Sequence, residues 1–139
     1  MDKKIFIICP VRNVKQEVNE KITAYVTTLE TRGHEVYWPY RDNPYQEADK
    51  IGRTIIGLNR EKMIEADEVH VWYDKNSTGS IFDIGMFFAL VHAHFRKFVI
   101  INRADVVSTP HKSFENVLWE LEKEFDSPVA NGLAEWRKR

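Results

Sequence analysis

A chain of 139 residues, 43% hydrophobic and 29% charged, has the length of one domain and is too apolar to stay disordered. Its formal net charge of -1 gives no general pull toward a nucleic-acid polymer or an anionic membrane. The lone cysteine, Cys9, excludes an internal disulfide and fits a reducing, cytoplasmic setting; the apolar run Ile5 to Cys9 is too short for a signal sequence and far below the roughly 20 residues of a membrane span.

Short β-branched and aromatic runs alternate with stretches of helical spacing, the pattern of βαβ units around a parallel sheet. Lys4 to Cys9 is nearly all apolar, as a central strand covered on both faces must be. Asn13 is positioned to cap a helix carrying Val18, Ile22, Tyr25, Val26 and Leu29, which Gly33 ends. His34 to Trp38 is the second strand. The polar, proline-punctuated Pro39 to Asp49 follows as a functional loop, and a helix is expected from about Ala48 to Ala66 with Ile51, Ile55, Ile56, Leu58 and Ile64 inward.

Asp67 to Tyr73 alternates Val69, Val71 and Tyr73 against Glu68, His70 and Trp72, a third strand partly exposed on one side. A turn over Asp74 to Gly79 leads into a helix from Ser80 to Phe95 that is apolar on every side, and a helix apolar all round is buried all round. In so small a domain the sheet covers one side only, so a homodimer through residues 80–95 is expected. Lys97 to Asn102 is the fourth strand and Ser113 to Phe125 an amphipathic helix; from Asp126 a turn and at most a short helix lead to the basic end Trp136 to Arg139, which reads as a solvated terminus. The expectation is a single α/β domain over residues 1–139, Rossmann-like or flavodoxin-like, with four to five parallel strands flanked by helices.

In such a sheet, ligands bind beyond the carboxyl ends of the strands. Three loops lie there: Pro10 to Asn13, Pro39 to Asn43, and Asp74 to Ser80. Their arginines, hydroxyls and tyrosines suit a phosphorylated, ring-bearing ligand, a nucleotide or nucleoside. Ser77, Thr78, Gly79 and Ser80 open a helix, where hydroxyls and free N–H groups stabilise phosphate and Gly79 permits close approach; the plainer alternative is a helix cap. Arg12 could add a bidentate contact, and Tyr40 and Arg41 extend the same rim. Asp83 lies one turn into the apolar helix; it either points to solvent or, because charges are rarely buried without a purpose, does chemistry.

Asp74 to Gly79 opens like a calcium loop, but its twelfth position is Gly85 and not glutamate. His92 and His94 are two apart and diverge on a helix, so no metal is expected. Cys9 reads as a small core residue. A response regulator needs an acidic pair after the first strand and a flavodoxin a hydroxyl-rich loop, and Cys9-Pro10-Val11-Arg12 supplies neither.

The stretch Ser77-Thr78-Gly79-Ser80-Ile81-Phe82-Asp83-Ile84-Gly85-Met86, with Arg12 and Ile64 to Val69, resembles the nucleoside 2-deoxyribosyltransferase-like family over roughly Ile5 to Leu90. The resemblance implies Asp83 as a nucleophile on the anomeric carbon of a nucleoside and Gly79 in the loop at the sugar or phosphate; no cofactor is expected. In the branch that hydrolyses nucleoside 5′-monophosphates, Ser77 and Arg12 fall where serine and arginine hold the phosphate. Two departures are plain. The family's nucleophile is usually glutamate, one methylene longer than Asp83. Asn59 stands near the place of an aspartate that protonates the leaving base in transferases; it can bind substrate there, but an amide cannot give that proton, which argues against transfer. Asp42, Asp67 and Asp74 are the carboxylates left to serve as acid. The function implied is cleavage of an N-glycosidic bond, or, if turnover has been lost, nucleotide binding as a sensing module.

Overall fold

The computed structural model describes residues 2–91 and 96–124. Four strands, β1 (Lys4–Ile8), β2 (Glu35–Tyr37), β3 (Glu68–Val71) and β4 (Lys97–Ile100), form one parallel sheet in the order β2-β1-β3-β4. The helices are α1 (Gln16–Thr31), α2 (Pro39–Asp42), α3 (Arg53–Glu65), α4 (Thr78–Val91) and α5 (Phe114–Glu124). This is the α/β architecture expected, with four strands among the described residues. Successive side chains of β1 alternate between two cores. Phe6 and Ile8, with Val69, Val71, Phe98 and Ile100, pack on Met63, Ile84, Phe87, Leu118 and Leu121 of α3, α4 and α5. Ile5 and Ile7 pack instead on Ile22, Val26 and Leu29 of α1. The strand order reverses between β1 and β3, which makes their carboxyl ends the switch point where such sheets hold ligands.

Gly33 ends α1 as expected: at φ +95° it takes the left-handed position, its N–H bonds Glu30 O at 3.0 Å, and His34 N–H bonds Leu29 O at 3.2 Å. Asn13 is not the cap at the other end. It has φ +53°, and Lys15 occupies the cap position without a side-chain bond.

Three other expectations are corrected. The loop at 39–49 contains α2, started by Pro39 at its first turn, where the missing N–H costs nothing, and closed by Asp42 Oδ2 accepting Trp38 N–H at 2.8 Å. The helix expected from Ala48 begins at Arg53, because Asp49 Oδ2 accepts the N–H groups of Thr54 and Ile55 at 2.7 and 3.1 Å. Ile51 is thereby left outside the helix and 90% exposed. In β3, His70 is buried and not half-exposed: Tyr25 Oη lies 2.6 Å from Nδ1 and Glu68 Oε1 2.9 Å from Nε2. In α4, Ser80, Asp83, Ile84 and Phe87 are buried while Phe82, on another side, is 56% exposed in the single chain. The homodimer through 80–95 reaches past Val91, and residues 92–95, including His92 and His94, lie outside the described residues, as does everything from Phe125 to Arg139.

Candidate active site at the carboxyl ends of β1 and β3

Beyond β3 the chain turns at Asp74, whose Oδ1 accepts Asn76 N–H at 2.9 Å and whose carbonyl accepts Ser77 N–H at 3.0 Å. Ser77 then caps α4: its Oγ accepts the N–H of Ser80 at 3.2 Å and lies 2.8 Å from Ser80 Oγ. Gly79 is exposed, and a Cβ added to it would meet nothing within 4 Å.

One turn further, Ser80, Asp83, Ile84 and Phe87 form the buried stripe of α4. The spacing i, i+3, i+4, i+7 turns one helix face to the core, and Asp83 occupies a place in it where an apolar side chain would be ordinary. It is the one charged residue of Thr78–Val91, is 8% exposed, and makes no hydrogen bond or ion pair among the described residues. Burial without compensation disfavours the charged form, and it pushes the Asp83 carboxyl up to about 7. A carboxyl held near neutrality can be an anion or an acid in the working pH range, a condition that active sites create and packing alone has no use for.

Cys9, just past β1, faces this carboxyl. Its Sγ accepts the indole N–H of buried Trp38 at 3.1 Å. Burial, and after it the negative charge of Asp83, push the thiol up to about 12, against the hydrogen bond from Trp38. The thiol therefore stays neutral, which suits the core role expected of it.

The other sequence-derived residues divide. Ser77, Gly79, Ser80 and Asp83 come together on the first turns of α4. Arg12 is exposed in the loop after β1 and has no hydrogen bond or ion pair among the described residues. Tyr40 stacks on Trp38 with ring centroids 5.3 Å apart and keeps 45% of its surface exposed. Arg41 is occupied: Nη1 and Nη2 bind both oxygens of Glu30 at 3.0 and 3.1 Å, and Nε binds Asp42 at 2.7 Å. Both carboxylates hold Arg41 firmly charged, Asp42 first. Asn59 is buried in α3, its Oδ1 accepting from Asn43 Nδ2 at 3.0 Å, and Asn43 in turn donates to Ile55 O and accepts Tyr45 N–H. The pair fastens the segment after α2 to α3.

A cleft of about 680 Å³ opens at the same edge of the sheet but does not include Asp83. Pro10 and Lys15 line one side, Trp72 and Lys75 the next, Asp105 and Glu115 the far side. It shares with the Asp83 site the segments that follow β1 and β3, so site and cleft are neighbours across those segments. Sequence reasoning missed its far wall, the connection between β4 and α5. The rule that ligands gather at all carboxyl ends pointed there; the absence of a motif hid it.

Comparison with known proteins agrees with this architecture. The 2-deoxyribosyltransferase of the psychrotolerant bacterium Bacillus psychrosaccharolyticus superposes with a TM-score of 0.54 over 83% of this chain and 90% of its own, at 17% identity. The chain has the 2-deoxyribosyltransferase fold. The CMP N-glycosidase BcmB of Clostridium botulinum aligns over 70% of this chain and 67% of its own at 21% identity, with a TM-score of 0.49. No family model and no curated protein matches the sequence. At such identities the fold is what is shared, and the chemistry rests on the residues of this chain.

Proposed function

We propose that this protein cleaves the N-glycosidic bond of a nucleotide or nucleoside, with Asp83 as nucleophile. The observation that carries the reading is the buried, unpartnered Asp83 carboxyl one turn into α4, beside the switch point of the sheet. In its ionised form an Asp83 oxygen attacks the anomeric carbon; the carbon–nitrogen bond breaks, and its electron pair leaves with the base, which takes a proton. Water then hydrolyses the glycosyl ester, so substrate plus water gives free base plus sugar and restores the carboxylate. Ser77, Gly79, Ser80 and Arg12 are assigned to the phosphate, and Tyr40 to the rim. Arg41 and Asn59 act from behind, through the ion pairs and amide pair that hold α2 and the following segment. The shared fold with a 2-deoxyribosyltransferase supports the substrate class.

The lone, buried thiol supports a cytoplasmic location, and no described helix is long and apolar enough to cross a membrane. The outward face of α4 supports a homodimer. A second reading, a nucleotide-binding module without turnover, is favoured by two features: the short reach of aspartate, and an Asn59 spent on Asn43.

Mass spectrometry of a panel of nucleosides, nucleoside monophosphates and dinucleotides, incubated with wild type and Asp83→Asn, tests both. Free base from the wild type alone supports the glycosidase. A ligand that binds and is recovered intact from both supports the binding module.

A further inference from the structure

The cleft at the carboxyl edge of the sheet has two unlike walls. On one stand Lys15 and Lys75, exposed and without an ion pair among the described residues. Lys15 also heads α1 and has no acceptor with which to cap it, so the first N–H groups of that helix add positive partial charge to the same wall. The far wall carries Asp105 and Glu115, and both are held by buried donors. Asn102 accepts Tyr73 N–H on Oδ1 and donates from Nδ2 to Tyr73 O, each at 2.8 Å, and the same Nδ2 lies 3.2 Å from Asp105 Oδ2. Tyr73 is hydrogen-bonded to Glu115; burial and, after it, Glu115 raise the phenol above its ordinary range, so the proton stays on it and the carboxylate accepts. A carboxylate has about four lone-pair sites, so each keeps acceptors for a ligand. Asp74, on the lysine side, is turned to its own loop, its Oδ1 accepting Asn76 N–H at 2.9 Å.

The lysine wall continues the phosphate contacts assigned above. Arg12 is three residues from Lys15, and Ser77 two from Lys75, spans of chain no longer than about 11 Å and 7 Å. A group bonded to a phosphate at Arg12 and Ser77 therefore has the lysines within its reach. A second phosphate alone leaves most of a cleft of about 680 Å³ empty, a volume typical of sites that enclose whole small molecules. We propose that the substrate is a nucleoside 5′-diphosphate ester, its first phosphate at Arg12 and Ser77, its second at Lys15 and Lys75, and its outer sugar on Trp72 against Asp105 and Glu115. The inference rests on the glycosidase reading and extends its substrate beyond a nucleoside monophosphate. Lysines match the charge of the phosphate. Sugar hydroxyls supply the donors that the two carboxylates lack, and the half-buried Trp72 offers an apolar face to the sugar ring. The reaction at Asp83 is unchanged: substrate plus water gives free base and a ribose that keeps the intact diphosphate ester.

Base release by the full chain tests this, measured with the 5′-monophosphate, 5′-diphosphate and 5′-diphosphoglucose of adenosine, cytidine, guanosine, uridine and thymidine. For the base that is cleaved, kcat/KM is expected to rise in that order, by roughly tenfold or more from first to last, the worth of one good contact. Lys15→Gln combined with Lys75→Gln should abolish the advantage and leave the monophosphate unchanged. Asp105→Ala should remove only the step from diphosphate to diphosphoglucose. All three positions are exposed, where such changes seldom disturb folding. A monophosphate cleaved as well as its diphosphoglucose, or an advantage that survives the lysine changes, would overturn the proposal and leave the glycosidase standing. If no compound releases base, the glycosidase reading falls on its own, and calorimetry with the same compounds decides the cleft. Tighter binding of a diphosphoglucose than of its monophosphate, lost in the lysine variant, supports the assignment; equal binding, or none, refutes it.

Discussion

Ser77 and Ser80 close the amino end of α4 on each other, the Oγ of Ser77 accepting the N–H of Ser80 while the two hydroxyl oxygens lie 2.8 Å apart. The cap and the proposed phosphate contact can be separated. Ser77→Ala should lose about 1 kcal/mol of stability in urea unfolding, as cap removals do. It should also raise KM several-fold for nucleoside 5′-monophosphates and leave the unphosphorylated nucleosides unchanged. An equal loss for both would confine Ser77 to capping.

Catalysis should follow the ionisation of Asp83. The nucleophile works as the anion, and burial sets its titration near 7, so kcat/KM should climb as pH rises through about 7 and level off above it. Asp83→Asn should lower kcat by about 10³-fold or more. A pH profile flat from 5 to 9 would show that some other group limits the reaction.

The alternation of strand and helix was legible because each strand is covered on both faces, so β1 and β4 read as unbroken apolar runs. The site was legible where it depends on local spacing, as with Ser77, Gly79 and Asp83 on one helix. What stayed hidden depends on partners distant in sequence. Arg41 looks like an anion ligand until Glu30, eleven residues away, is found on its guanidinium. His70 alternates like an exposed strand residue, yet Tyr25 of α1 and Glu68 cover its polar atoms and allow it to be buried. The late start of α3 hangs on Asp49, a cap four residues ahead of the helix, while the hydrophobic spacing alone runs straight through it.

His70 makes the fold sensitive to mild acid. Burial lowers its pKa, and the neighbouring Glu68 opposes that only in part. The neutral ring donates from Nε2 to Glu68 and accepts at Nδ1 from the Tyr25 hydroxyl, an assignment forced by the carboxylate, which only accepts. Because the folded pKa lies below the unfolded one, the unfolded chain takes up the proton first as pH falls. Stability is therefore full above about pH 6.5 and drops as pH descends toward the folded value. Urea midpoints should fall between pH 7 and pH 5 in the wild type and fall less in His70→Gln, whose amide can serve both partners without titrating. Parallel declines in the two proteins would remove His70 from the account.

Asp83 has the opposite sign, and this sets a cost on the proposed nucleophile. Its folded pKa, about 7, lies above the ordinary aspartate value of 3.8, so between these values the native state keeps a proton that the unfolded chain has released. Stability contributed by this group is then greatest below about pH 4, falls across the window, and stays reduced above pH 7. At about 1.4 kcal/mol per pKa unit the full cost is on the order of 4 kcal/mol. Asp83→Asn has the shape of the protonated acid and never ionises, so it should escape that cost. Its melting temperature should match the wild type near pH 4 and exceed it by several degrees at pH 8, while its activity is lost. Stability gained as function disappears is what a carboxylate buried for chemistry predicts. An Asp83→Asn protein no more stable than wild type at pH 8 would mean that solvent or a neighbouring donor already satisfies the anion, and the case for a strained nucleophile would go with it.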